Sequence, residues 1–154
     1  MRFKPIPDPP ADRSGLFAVH ATIPAEPMAT DDCCGRLIEH SPVDSREAAA
    51  DWLVFCRALG LATNTSAGYR REPAPDEVAV LGSAFREHVV DADRVLAVLN
   101  EADRPHPATA VADAIRSTDG DGGRERSTVR VERLLEWAVL FELSSRAADG
   151  FVVR

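Results

Sequence analysis

"ADWLVFCRALGLATNTSAGYRR", Ala50 to Arg71, is the stretch on which the fold turns. Ala49, Trp52, Leu53, Cys56 and Leu59 recur at i, i+3, i+4, i+7 and i+10, the spacing of one buried helical face. Gly60 then supplies a residue that enters the left-handed region without steric penalty, where a helix ends. "LATNT", "SAG" and "YRR" follow as two short strands around a turn. The chain therefore runs from an amphipathic helix, Ser45 to Leu59, through a glycine corner into a β-hairpin.

The same plan returns 82 residues later, Leu61 matching Leu143, Gly68 matching Gly150 and Tyr69 matching Phe151. Val131, Leu134, Leu135, Ala138 and Phe141 form the first stripe shifted by that interval, within a long helix expected from about Glu125 to Glu142. Identities across the two copies are few, so the match lies in pattern and punctuation.

Upstream of the first copy, prolines 5, 7, 9 and 10 keep the chain extended, and a short helix is expected near residues 11 to 21. Pro24 and Pro27 mark a linker. Thr30 or Asp31 is then placed to cap a second helix, with Cys34, Leu37 and Ile38 on one side, that stops before Pro42. "SPVD" reads as a four-residue turn, and Asp44 or Ser45 is placed to cap the long helix. In the second half, Val78, Leu81, Phe85 and Val95, Leu96, Leu99 give two helices with Asp76 and Asp91 as expected caps. A short helix, Ala108 to Arg116, follows Pro105 and Pro107, and "STDGDGG" reads as a flexible loop.

Helix, helix, tight turn, helix and hairpin is an order that resembles the winged helix-turn-helix domains of many small prokaryotic transcription regulators. The resemblance covers about residues 11 to 71 and 77 to 153. It implies a mainly α fold with two small β-hairpins, organised as two fused winged-helix-like halves, residues 1–74 with an N-terminal arm and residues 75–154. The opening "MRF", the proline-rich start and "DDCC" are similar to an uncharacterised family of halophile proteins, a resemblance that implies no activity.

Composition agrees with that origin. Asp and Glu total 25 against 18 Lys and Arg, for a net charge of −7, and Lys4 is the only lysine. Such a charge opposes binding to a polyanion, because phosphate contacts supply most non-specific DNA affinity. In molar salt the Debye length falls to roughly 3 Å, so local geometry outweighs long-range repulsion. The amino terminus lacks the apolar core of a signal peptide and no apolar span reaches about 18 residues, from which we expect a cytoplasmic protein with no membrane partner. Three cysteines, Cys33, Cys34 and Cys56, do not make a disulfide framework and lack zinc spacing, so buried thiols are expected.

The winged-helix resemblance implies that the helix after the tight turn enters a major groove with its amino-terminal half while the wing and helix ends touch phosphate. In the first half this points to Arg46 and to the hairpin end Tyr69, Arg70 and Arg71, with Glu47 and Asp51 unfavourable beside them. In the second half Arg126, Arg130 and Arg133 share a face, with Arg124, Ser127 and Thr128 near the helix start. The competing reading pairs those arginines with Glu125, Glu132 and Glu136. A segment of about nine residues, Asp119 and Asp121 among them, also stands where the plan has a three- or four-residue turn. "DGDGG" fails as a calcium loop, because position twelve from Asp119 is Arg130 and not a bidentate Glu. No nucleophile elbow, P-loop or dinucleotide fingerprint is present, so neither an enzyme nor a cofactor is expected. The expected function is DNA binding as a winged-helix transcription regulator, with double-stranded DNA as partner. The alternative is a protein-interaction module on the same scaffold, with a protein partner or a second copy of the chain.

Overall fold

The computed structural model describes residues 2–119 and 124–154, with no account of side chains at 116–119 and 124–127. The described residues form seven helices and two antiparallel hairpins. They fall into two compact units, Met1–Val89 and Val90–Arg154.

In the first unit, α1 (Arg13–Thr22) starts where the Asp12 carboxylate accepts from the Ser14 amide at 3.0 Å. α2 (Thr30–His40) stops two residues before Pro42. Its expected cap is not made: Thr30 is already helical, Ala29 stands at the N-cap, and no side chain closes the first turn. The reason is upstream. Met28 exchanges both backbone hydrogen bonds with Tyr69, at 2.9 and 2.8 Å, so the chain enters α2 directly from a strand contact. Asp31 and Asp32 occupy the first turn instead, where negative charge suits the helix dipole. α3 (Arg46–Ala58) does have its side-chain cap, Ser45 Oγ accepting from the Ala48 amide at 3.1 Å.

The α3 stripe is buried along its whole length, and Leu16, Ile23, Leu37, Phe55 and Leu61 complete the core with it. Gly60 adopts φ +79°, and the Leu61 amide donates back to the Cys56 carbonyl at 2.8 Å, which closes the helix end and launches the hairpin. β1 (Ala62–Thr65) pairs with β2 (Gly68–Arg71), and Met28 adds a third, single-residue strand. α4 (Val78–His88) belongs to this unit: Phe85 meets Phe55 edge-on at 6.4 Å, and the Phe3 amide donates to the His88 carbonyl at 2.6 Å. The compact units thus part at Val89, whereas the repeat read from the sequence opens its second half at residue 75.

The second unit repeats the order. α5 (Ala92–Glu101) buries Val95, Leu96 and Leu99, and α6 (Ala108–Asp119) buries Val111 and Ala112. α7 (Arg124–Leu140) buries Val131, Leu134, Leu135 and Ala138, and Trp137 stacks on Phe141 at 5.6 Å. β3 (Ser144–Ala147) pairs with β4 (Gly150–Val153), and His106 takes the single-residue third position through two bonds to Phe151, at 2.9 and 2.8 Å. Leu143 donates to Ala138 at 2.8 Å, as Leu61 does to Cys56.

Two differences separate the copies. α7 has 17 residues and α3 has 13, so the longer helix carries one extra turn at its start. α6 reaches Asp119 and α7 starts at Arg124, so the two ends of the connection expected from sequence are helical; residues 120–123, including Asp121, lie outside the described residues. The second difference is at the corner: Glu142 stands where the first copy has Gly60, and takes φ +60°. Of the two acidic caps expected here, Asp76 lies outside α4, whose N-cap is Glu77. Asp91 is the N-cap of α5 but makes no capping bond; it sits at φ +71° with its carboxylate turned to arginines.

Candidate nucleic-acid interface

Each unit presents a long helix, α3 or α7, with a hairpin directly after it, and the candidate contacts sit on these parts. At the start of α3, Arg46 is exposed beside exposed Glu47, and its guanidinium reaches the Asp31 carbonyl at 3.3 Å. Ala50 and Asp51, one turn on, are half-buried. The exposed start of this helix thus carries one cation and one anion, with Asp31 and Asp32 close in sequence to the carbonyl that Arg46 engages.

Tyr69 is not a surface contact. Grouped with the wing arginines on sequence, it is 4% exposed, because its backbone pairs with Met28 and its ring is carried into the core. Burial pushes its hydroxyl up from the ordinary value, and Arg57 beside it works against that shift. Arg70 is exposed but paired, its Nε donating to Glu72 at 3.0 Å. The Thr63 hydroxyl and then Arg70 hold the Glu72 carboxyl below the usual range. Arg71 donates to the Ala21 carbonyl at 2.8 Å and so ties β2 to the end of α1.

On α7 the residues divide. Arg130 is drawn inward: its side chain is 21% exposed, one terminal nitrogen donates to the Val90 carbonyl at 2.8 Å, and Nε lies 3.7 Å from Asp91. Burial lowers its guanidinium from the ordinary value, with Asp91 opposing. Asp91 also accepts from Arg94 at 3.1 Å, and Arg94 reaches the Ile115 carbonyl at 3.2 Å. This knot fastens α7 and α6 to the start of α5 and engages Arg130, which the sequence groups with the candidate DNA contacts, within its own unit. Thr128 and Arg133 are half-buried and engaged with other groups of the chain. The side chains of Arg124, Arg126 and Ser127 lie outside the described residues.

One basic residue was missed on sequence. Arg146, exposed on β3, pairs with Glu136 of α7 and braces the second hairpin against its helix. Its position in the repeat matches Asn64, so no basic signal in the first copy pointed to it. Cys33, Cys34 and Cys56 are buried free thiols, and burial pushes Cys56 up to about 12. Among the described residues no three His, Cys, Asp or Glu side chains converge as metal ligands.

A family model described as the halobacterial double winged helix domain matches residues 1–154, the whole chain. The chain belongs to that family. Neither curated proteins nor solved structures give a match. Membership of the double winged helix family accounts for the duplicated plan, and its halobacterial origin agrees with the acidic charge pattern in which arginine outweighs a single lysine. It places the protein on a scaffold commonly used to bind DNA, and no described helix is long and apolar enough to cross a membrane.

Proposed function

We propose that this double winged helix protein binds double-stranded DNA as a transcriptional regulator, with no catalytic step and no cofactor. The observation that carries the reading is the exposed amino-terminal turn of α3, which bears Arg46 and follows a five-residue turn from α2, with a hairpin directly after the helix. An α-helix presented in this way fits a major groove, and a following hairpin reaches the flanking backbone. Arg46 contacts phosphate or a base edge in this proposal, Arg70 exchanges Glu72 for phosphate, and the amino-terminal turn of α7, Arg124 to Thr128 with Arg133 beyond it, serves the second unit. A gel-shift titration with genomic fragments at high KCl tests it. Arg46→Ala should weaken binding measurably where the wild type binds, and absence of any shift across the fragment set would remove the proposal.

A second reading has an observation of its own. Arg70, Arg71, Arg130 and Arg146 are engaged within the chain, and the net charge is −7. A winged helix whose cations are internally paired serves equally as a docking unit for a protein or for a second copy of itself. Pull-down from the native extract and sedimentation of the purified protein, run beside the gel shift, separate the two.

A further inference from the structure

The first unit contains a cavity of about 260 Å³ between the N-terminal arm, α1, the 42–44 turn and the first turns of α3. Its wall is largely apolar, with Val19, Pro42 and the Trp52 indole on it, and the only charged groups lining it are the carboxylates of Asp8 and Asp44. Both residues are exposed, so their carboxylates stand at the solvent-facing rim of the recess. An apolar recess rimmed by two carboxylates, with no cation among its lining residues, selects by both shape and sign. Hydrocarbon fills the wall, and a cationic head answers the carboxylates. The volume lies just below the range of about 300–1,000 Å³ typical of drug-sized sites, so the occupant is small.

We propose that this cavity binds a small organic cation, an amine or quaternary ammonium group on a short apolar body, with Asp8 and Asp44 facing its charge. The cavity reaches the turn that sets α3 relative to α2, so occupancy bears on the helix that carries the proposed DNA contact. The inference itself rests on the cavity alone, and its test contains no DNA.

Benzyltrimethylammonium is the probe, titrated into the full chain at constant KCl and followed by amide and indole NMR. Saturable shifts are expected at the Trp52 indole and the Gly15 amide while the Trp137 indole stays in place. Benzyl alcohol and phenylacetate, which share the ring but are neutral or anionic, should shift neither. In the Asp8→Asn, Asp44→Asn double variant the affinity should fall at least about tenfold, since both attractive charges are gone. Equal response to the neutral or anionic probe, no saturable response to the cation, or undiminished affinity in the double variant overturns the proposal. Should the double variant not fold, the comparison of the three probes on the wild type decides alone.

Discussion

At the residue scale, the decisive finding concerns guanidinium groups, which are shared between holding the fold and facing solvent. Arg130 donates to a carbonyl forty positions away and Arg71 to one fifty positions away. A backbone acceptor leaves no mark in a sequence, so the arginine stripe was legible and its partners were not. Arg130→Ala should therefore lower stability by about 1.5–3 kcal/mol, the range for hydrogen bonds involving a charged group, because Asp91 and the Val90 carbonyl lose their shared donor. Urea denaturation measures this. Undiminished stability, together with DNA affinity weakened on every sequence, would return Arg130 to the interface. Cys56 offers an independent check of the core. Its thiol ionises near 9.0 ordinarily and near 12 in the folded chain. Below pH 9 it is protonated in both states and contributes no pH dependence. Between pH 9 and 12 the unfolded chain gives up the proton and the folded chain does not, so stability falls, by up to about 1.4 kcal/mol per pH unit. Tyr69, also pushed up by burial, adds a loss of the same sign at higher pH. Comparing wild type and Cys56→Ala at pH 8 and 10.5 should show a smaller loss in the variant.

At the element scale, each helix-to-hairpin corner is closed by the same 82-residue register, and the glycines mark where backbone meets backbone. Gly68 and Gly150 have φ +124° and +142°, and a Cβ there would overlap the backbone at Met28 or at His106. Gly60 has φ +79° and open space around it. Gly68→Ala should thus be severely destabilising, since the third strand must detach, whereas Gly60→Ala should cost only the left-handed strain, about 1–2 kcal/mol. The converse holds at Glu142, a non-glycine residue at φ +60°. Glu142→Gly should relieve similar strain, offset by some backbone entropy and by the exposed pair with Arg154, for a net gain of up to about 1 kcal/mol by thermal melting. A fall in melting temperature would show that the corner depends on that side chain. The first corner was visible in the sequence because glycine and an apolar stripe are local signals, and the second, which has Glu142 in place of the glycine, through its stripe in the same register. The single-residue strands at Met28 and His106 were not, since one residue has no periodicity, and for the same reason the capping of α2 was misjudged. The α4 spacing predicted a helix but carried no information about the unit it packs into.

At the scale of the whole molecule, the opposition lies between a scaffold commonly used for DNA and a chain of net charge −7 in which Arg70, Arg71, Arg94, Arg130 and Arg146 are engaged with its own backbone and carboxylates. If the DNA reading holds, few cations are available to displace counterions, and that number is measurable. The logarithm of affinity falls with the logarithm of salt at a slope of roughly 0.9 per neutralised phosphate, so a protein making six to ten contacts loses about 10³–10⁵ in affinity between 50 and 200 mM salt. With about three phosphate contacts, for example from Arg46, Arg70 and one arginine of α7, the same fourfold rise in KCl should weaken binding only about 40-fold. That shallow dependence is what permits a regulator to keep its site in concentrated salt, where long-range attraction is screened to within roughly 3 Å and contact geometry carries the affinity. Fluorescence anisotropy with one labelled duplex across a KCl series measures the slope. A steep slope would mean that the internally paired arginines open onto the DNA, contradicting the assignment of Arg71 and Arg130 to the fold. A slope that loses about one unit in Arg46→Ala, with the melting temperature unchanged, would place Arg46 on a phosphate. An Arg46→Ala variant with an unaltered slope but a preference changed at one base pair would place it on a base edge instead.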